Sequence, residues 1–189
     1  LSKVTTPLGY LGAFATNAVA RRAMGGWLER VVFADARDAL PLHLHDYRTQ
    51  VVPLAPANFA PSLLASCSIP FWLEAVHDIP GAPRGAYWDG GITDYHLHLD
   101  YASMERGLVL YPHFQKTVIP GWPDKALRHR HRATVHLDNL VLLSPSAEWV
   151  ASLPRGKLPD RADFMGYGDD LGARIAAWSR AVQEGERLA

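Results

Sequence analysis

The chain has 189 residues, with 19 Lys+Arg against 19 Asp+Glu, so its formal net charge is zero with histidine neutral. That balance excludes a strongly basic nucleic-acid binder, which needs a surplus of cations to displace counterions. Hydrophobic residues make up 48% and charged residues 20%, a globular composition for one domain over residues 1–189 that buries roughly 70% of its unfolded surface. A single cysteine, Cys67, excludes a disulfide scaffold and a four-cysteine zinc site.

In chain order, residues 4–20 carry no charge and are rich in small residues, and the pattern from Leu11 to Leu28 is mostly helical, with Gly25-Gly26 as a break. Arg30–Ala36 and Tyr47–Leu54 read as strands, the second ended by Pro53 and Pro56. Ala57–Ser66 reads as a short helix with Asn58 or Ser62 as cap. The charge-free run Thr49–Leu73 is long enough to span a bilayer. It contains Pro53, Pro56, Pro61 and Pro70, so it is expected as buried strand, turn and helix instead.

Further on, Gly85–Asp89 is a short apolar strand ending in an acid and two glycines. Gly107–Tyr111 and Asn139–Leu143 are near-continuous apolar runs, the pattern of strands covered on both faces in a parallel sheet. Arg128-His129-Arg130-His131-Arg132 is expected as a solvated loop. Leu171, Ile175, Trp178 and Val182 form one stripe of a helix capped by Asp169 or Asp170. Alternating strands and helices point to an α/β class with a mostly parallel sheet flanked by helices.

Asp89-Gly90-Gly91 is the first chemical candidate. A carboxylate at the end of an apolar strand needs a partner or a function, and sites in open α/β sheets form beyond the carboxyl ends of strands. The plain alternative is an ordinary Asp-Gly turn. The second candidate is the histidine set, nine in all. On strands, His43/His45 and His96/His98 each share a face, and with Asp46, Asp89, Asp94 or Asp100 they would build a metal site for water activation. No glutamate or cysteine pattern fixes such a geometry, and no cofactor is expected. A serine nucleophile is not visible: Gly-x-Ser-x-Gly does not occur. Cys67, between Ser66 and Ser68, reads as a packed small residue.

Ala65-Ser66-Cys67-Ser68-Ile69-Pro70-Phe71, followed by Gly85-Ala86-Tyr87-Trp88-Asp89-Gly90-Gly91-Ile92, resembles the second half of the patatin-like phospholipases. The paired motifs cover Ala65 to Ile92. The resemblance implies that Asp89 is the aspartate of a Ser–Asp dyad, that Gly90 and Gly91 shape its turn, and that the fold is the C-terminal part of a three-layer patatin-like domain. The family's nucleophile elbow and glycine-rich oxyanion loop lie upstream of the matched region, and the position that is often Asn reads Asp94. The chain opens on Leu1 with no signal-peptide pattern, so it reads as a processed product or a fragment lacking the serine.

The function implied is a lipid acyl hydrolase acting on esters such as phospholipids, with the N-terminal half of the parent protein as partner. Its location would be cytoplasmic or peripheral to a membrane. The apolar opening and Phe71-Trp72-Leu73 would line an acyl site or touch a lipid surface, unless they are core. The alternatives are a catalytically inactive lipid- or protein-binding module and a metal-dependent hydrolase using the His-x-His pairs.

Overall fold

A computed structural model describes residues 5–38, 40–104 and 106–187. It is mixed α/β, with helices and short strand pairs. The chain divides into two compact units: Leu1–Val109 with Thr117–Leu140, and Leu110–Lys116 with Val141–Ala189.

In the first unit, helix α1 (Thr5–Val19) starts six residues before the expected Leu11 and stops at Ala20, whose extended backbone hands over to a 3-10 turn at Arg21–Gly26. Tyr10, Ala13 and Asn17 bury one face of α1, at the three- and four-residue spacing of a helical stripe. Trp27 lies against Gly12 so closely that a Cβ there would meet the indole ring at 2.5 Å. Strands β1 (Arg30–Ala34) and β2 (Thr49–Pro53) pair in parallel, Arg30 opposite Thr49. Both are shorter than the sequence pattern suggested.

Helix α2 (Pro56–Ser66) has Pro56 in its first turn, where no intrahelical N–H is needed. Asn58 is buried there: its Oδ1 accepts from Ala55 N, and its Nδ2 donates to the carbonyls of Pro53 and Pro80. Strand β3 (Val76–His77) pairs antiparallel with β4 (Ala86–Tyr87), so only the middle of Gly85–Asp89 is strand. Helix α3 (Gly91–Asp94) follows at once. The core gathers Tyr10, Ala13, Met24, Tyr47 and Ile92, with Phe14, Leu28 and Trp88 packed around them.

Charge stitches this unit together. Asp124 is fully buried and accepts from Asn17 Nδ2 (2.9 Å), Arg21 Nη1 (3.1 Å) and Arg130 Nη1 (2.9 Å). The expectation of a solvated loop at 128–132 therefore fails at Arg130, which a buried carboxylate holds. Arg30 forks onto Asp94 (Nε–Oδ2 2.8 Å, Nη2–Oδ1 2.7 Å) and reaches Asp46 (Nη1–Oδ1 2.8 Å).

In the second chain-order pair, β5 (Val109–Pro112) and β6 (Leu140–Leu143) form a two-stranded sheet. Val109 N bonds to Asn139 O and His113 N to Leu143 O, so the bonds advance in the same direction along both strands and the pair is parallel. The expected cover on both faces is absent. Exposure alternates, with Leu110, Pro112, Val141 and Leu143 on the open side.

The second unit also holds α4 (Ala147–Ser152), capped by Ser146 Oγ accepting from Trp149 N, α5 (Ala162–Tyr167), and α6 (Leu171–Glu186), capped by Asp170 Oδ1 accepting from Ala173 N. The cap and the helix match the sequence reading. Leu171, Ile175 and Val182 are exposed, and Ala181 is the residue α6 buries.

Asp163 anchors this unit instead, ion-paired to Lys157 at 2.8 Å and accepting from Trp178 Nε1 at 2.9 Å. The Lys157 hydrogen bond first, and then the Asp160 N–H, hold its carboxyl down to about 2. Because the folded value lies below the ordinary carboxylate value of about 3.9, its contribution is present above pH 4 and lost as pH falls toward 2. Acid titration followed by circular dichroism should show a loss of α5–α6 structure in that window. Asp163→Asn should flatten that step; an unchanged titration would remove Asp163 as its cause.

Candidate functional site

The two sequence segments that drew attention meet through the backbone. Asp89 N donates to Ser68 O at 3.0 Å. Ser68 is buried, with its hydroxyl donating to Leu64 O at 2.9 Å at the end of α2. The end of α2 thus fixes where the chain emerges from β4, and the carboxylate follows two residues after Tyr87. Gly91 N donates to Asp89 Oδ1 at 2.6 Å, and Ile92 N approaches Asp89 O at 3.4 Å. This is an Asx turn opening directly into α3.

Asp89 lines a cleft of about 880 Å³ in the first unit. One wall is the run Trp27–Val32, another the run Pro83–Tyr95, and Leu40, Leu42, Leu44, Leu97 and Leu99 supply apolar lining. The half-buried carboxylate therefore faces a mainly hydrocarbon space, the setting in which a carboxylate can serve as acid, base or anchor for a polar group. Among the described residues no serine hydroxyl donates to Asp89; the Gly91 N–H is the hydrogen bond its carboxylate accepts.

The glycines divide their work. Gly90 and Gly91 both lie outside the left-handed region. A Cβ at Gly90 would meet nothing, whereas one at Gly91 would lie 2.9 Å from Asp89 Oδ1. Gly91 is thus the residue that lets the carboxylate fold back onto its own helix N-terminus. Gly91→Ala should displace the carboxylate while changing stability by no more than about 1 kcal/mol, since alanine favours the helix. A melting temperature kept, with the Asp89 carboxylate shifted in a crystal structure of the variant, is the expected result; an unmoved carboxylate would contradict it.

The acids and histidines of the metal reading are spread over other tasks. Asp46 is bound by Arg30 and Arg21, and Asp94 by Arg30 and the Thr93 hydroxyl. The sequence reading missed these arginines, because nothing in the spacing of Arg21 and Arg30 ties them to acids 16 to 64 residues away. The rings of His43 and His45 sit 5.2 Å apart. His96 is buried, stacked on Tyr95, and its Nδ1 accepts from Ile119 N. His98 Nε2 faces the Thr134 hydroxyl, and burial, ahead of the nearby cations, lowers its pKa below the ordinary histidine value.

His43 and Asp100 pair in an antiparallel bridge, which brings the echoed segments at 42–47 and 96–101 side by side. Even so, among the described residues no group of three or more His, Cys, Asp or Glu side chains is placed to hold a metal ion. Cys67, expected as a packed residue, is exposed. Phe71, Trp72 and Leu73 are exposed too, Trp72 at 85%. On α1, Leu8, Leu11 and Val19 are also exposed, so plain core packing does not account for these apolar side chains. Among the described residues no helix is long and apolar enough to cross a membrane.

No protein-family model, curated protein or solved structure matches the chain.

Proposed function

We propose that this chain carries the aspartate of a Ser–Asp dyad in a lipid acyl hydrolase of patatin-like type, as the C-terminal part of that family's three-layer fold. The observation that carries the reading is the joint placement of its two motif segments. The hydrogen bond from Asp89 N to Ser68 O ties them together, and it sets the Asp89 carboxylate in the wall of an apolar cleft.

In this mechanism a serine from polypeptide outside these 189 residues attacks the ester carbonyl, and its proton passes to Asp89. The tetrahedral intermediate collapses with release of the alcohol, which takes that proton back. Water then attacks the acyl-serine, Asp89 accepting and returning a proton in the same way. A free carboxylate is a weak base at about pKa 3.9, so the step depends on alignment and on exclusion of water rather than on basicity alone. The leucines of the cleft suit an acyl chain, and exposed Phe71, Trp72 and Leu73 suit contact with a lipid surface.

A second reading, a binding module without catalysis, is favoured by the absence of a serine hydroxyl on Asp89 among the described residues. Both readings expect the isolated chain to be inert toward p-nitrophenyl butyrate and unlabelled by a fluorophosphonate probe. Hydrolysis that survives purification and disappears in Asp89→Asn would show that the chain holds its own nucleophile. The two readings part in the longer protein: there the dyad gives turnover that depends on Asp89, and the binding module gives none.

A further inference from the structure

Leu97 and Leu99 line the cleft, yet residues 97–99 form neither helix nor strand. Short local bonds hold their backbone. Leu97 N donates to Asp94 O at 3.2 Å, Leu99 N to Leu97 O at 2.9 Å and Tyr101 N to Leu99 O at 2.9 Å. The last two close three-residue γ-turns. Leu97 has φ 46°, in the left-handed region that a branched side chain rarely adopts. Such a conformation persists only where its surroundings hold it in place.

Side chains supply that restraint. Tyr101 Oη donates to Leu97 O at 2.9 Å. His98, between the two leucines, faces the Thr134 hydroxyl through Nε2 at 3.3 Å, and Asp100 pairs with His136 Nδ1 at 3.0 Å. Two cross-links in register, 98 to 134 and 100 to 136, thus tie this wall of the cleft to the 3-10 turn at Val135–Leu137.

The charges around His98 leave no place for a further cation. Arg21 acts on it from the 3-10 turn Arg21–Gly26, His136 from the turn Val135–Leu137, and Asp46 from the segment before β2. Both nearby acids are already engaged, Asp46 by Arg30 and Arg21, and Asp100 by His136. Burial comes first in keeping the His98 ring neutral, and Arg21 and His136 act in the same direction. A hydrogen bond to its own backbone and the charge of Asp46 oppose them without prevailing.

We propose that His98 is a proton-operated latch on the cleft wall: with a neutral ring it holds Leu97 and Leu99 against the 134–136 segment, and on taking up a proton it releases them and widens the cleft. The strained backbone at Leu97 favours release once the cross-link is lost. The sign follows from linkage. A released ring has the ordinary histidine value of about 6.5, and the held ring a lower one, so the closed wall binds fewer protons. It is favoured above about pH 6.5 and lost as pH falls below that. As a control on acyl entry the latch rests on the acyl-hydrolase reading; as a pH-dependent movement it does not involve Asp89.

The test follows amide hydrogen exchange by NMR on the 189-residue chain from about pH 7.5 to 5.5, with rates corrected for the intrinsic pH dependence of exchange. The carbon-bound ring protons of His98 are titrated on the same samples. The expected result is that protection at Leu97, Leu99 and Tyr101 falls by about threefold or more at the lower pH, with the midpoint of the His98 ring. His98→Gln, whose amide can still pair with the Thr134 hydroxyl but takes up no proton, should keep its protection across the range. Protection that does not change with pH, or that changes with a midpoint different from that of the His98 ring, would overturn the proposal. So would an equal loss in His98→Gln. The midpoint comparison uses the unaltered chain and decides the matter even where the variant does not fold. Turnover does not enter, so a negative result leaves the dyad reading of Asp89 standing.

Discussion

Asp89→Asn is expected to lower acyl-ester turnover by about 10²–10⁴-fold in a protein that joins these residues to the serine-bearing segment, the range that a positioned acid–base group contributes. Asparagine keeps the side-chain shape, and its amide oxygen can still accept from Gly91 N, the hydrogen bond that Asp89 Oδ1 now accepts at 2.6 Å. The turn into α3 should therefore persist, and stability should move by no more than about 1 kcal/mol. What the variant loses is the ability to take a proton. Turnover and melting temperature measured on the same preparations separate the outcomes: a catalytic role predicts a large rate loss with an unchanged melt, and a turn residue predicts neither.

Arg30→Met carries the largest expected effect on stability. The Arg30 side chain is 6% exposed, and it satisfies two carboxylates at once, Asp46 at 2.8 Å and Asp94 at 2.7 Å. Removing one partner of a fully buried pair costs about 3–5 kcal/mol; because Arg21 still lies 3.2 Å from Asp46, whose side chain is 32% exposed, the loss should fall at or below the low end of that range. Neutralising the two carboxylates along with Arg30 leaves no unpaired charge and should be gentler, so Arg30→Met alone should unfold the first unit at lower denaturant than Arg30→Met combined with Asp46→Asn and Asp94→Asn.

The pH dependence has a defined sign. Burial by itself would raise the Asp46 carboxyl, but the hydrogen bond and charge of Arg30, with the charge of Arg21, outweigh it and hold the carboxyl below the ordinary carboxylate value. A depressed folded value means stability that is present above about pH 4 and lost as pH falls. Urea unfolding at pH 7 and pH 3 checks both points; Arg30→Met should lose most of its penalty at the lower pH. An equal penalty at both would show that Arg30 acts through packing alone.

The sequence made the local elements legible and left the long-range ones dark. Arg30–Ala34 and Thr49–Pro53 emerge as strands from their β-branched runs, and α6 starts at the cap its aspartate suggested. These features depend on neighbours a few residues away. Apolar periodicity on α6 reports which face is apolar, not whether anything covers it; Leu171, Ile175 and Val182 stand exposed. The same holds for β5 and β6, whose open face the apolar runs did not reveal. At the site, Asp89 was visible from its strand-end acid and its glycines. The Arg21–Arg30 network was not, since its acids come from Asp46, Asp94 and Asp124, far apart in the chain.

The most direct measurement of the central claim is the position of Asp89 relative to a nucleophile. A crystal structure of the protein that contains both segments, trapped with a fluorophosphonate and compared with its free form, supplies it. The account predicts that in the free form a serine Oγ lies about 2.6–3.2 Å from an Asp89 carboxylate oxygen, the reach of a general base, at the wall of the cleft where Asp89 now accepts from Gly91 N. In the trapped form the phosphonate should sit on that same serine. A labelled serine remote from Asp89, with the carboxylate still bound only to Gly91 N, would contradict it.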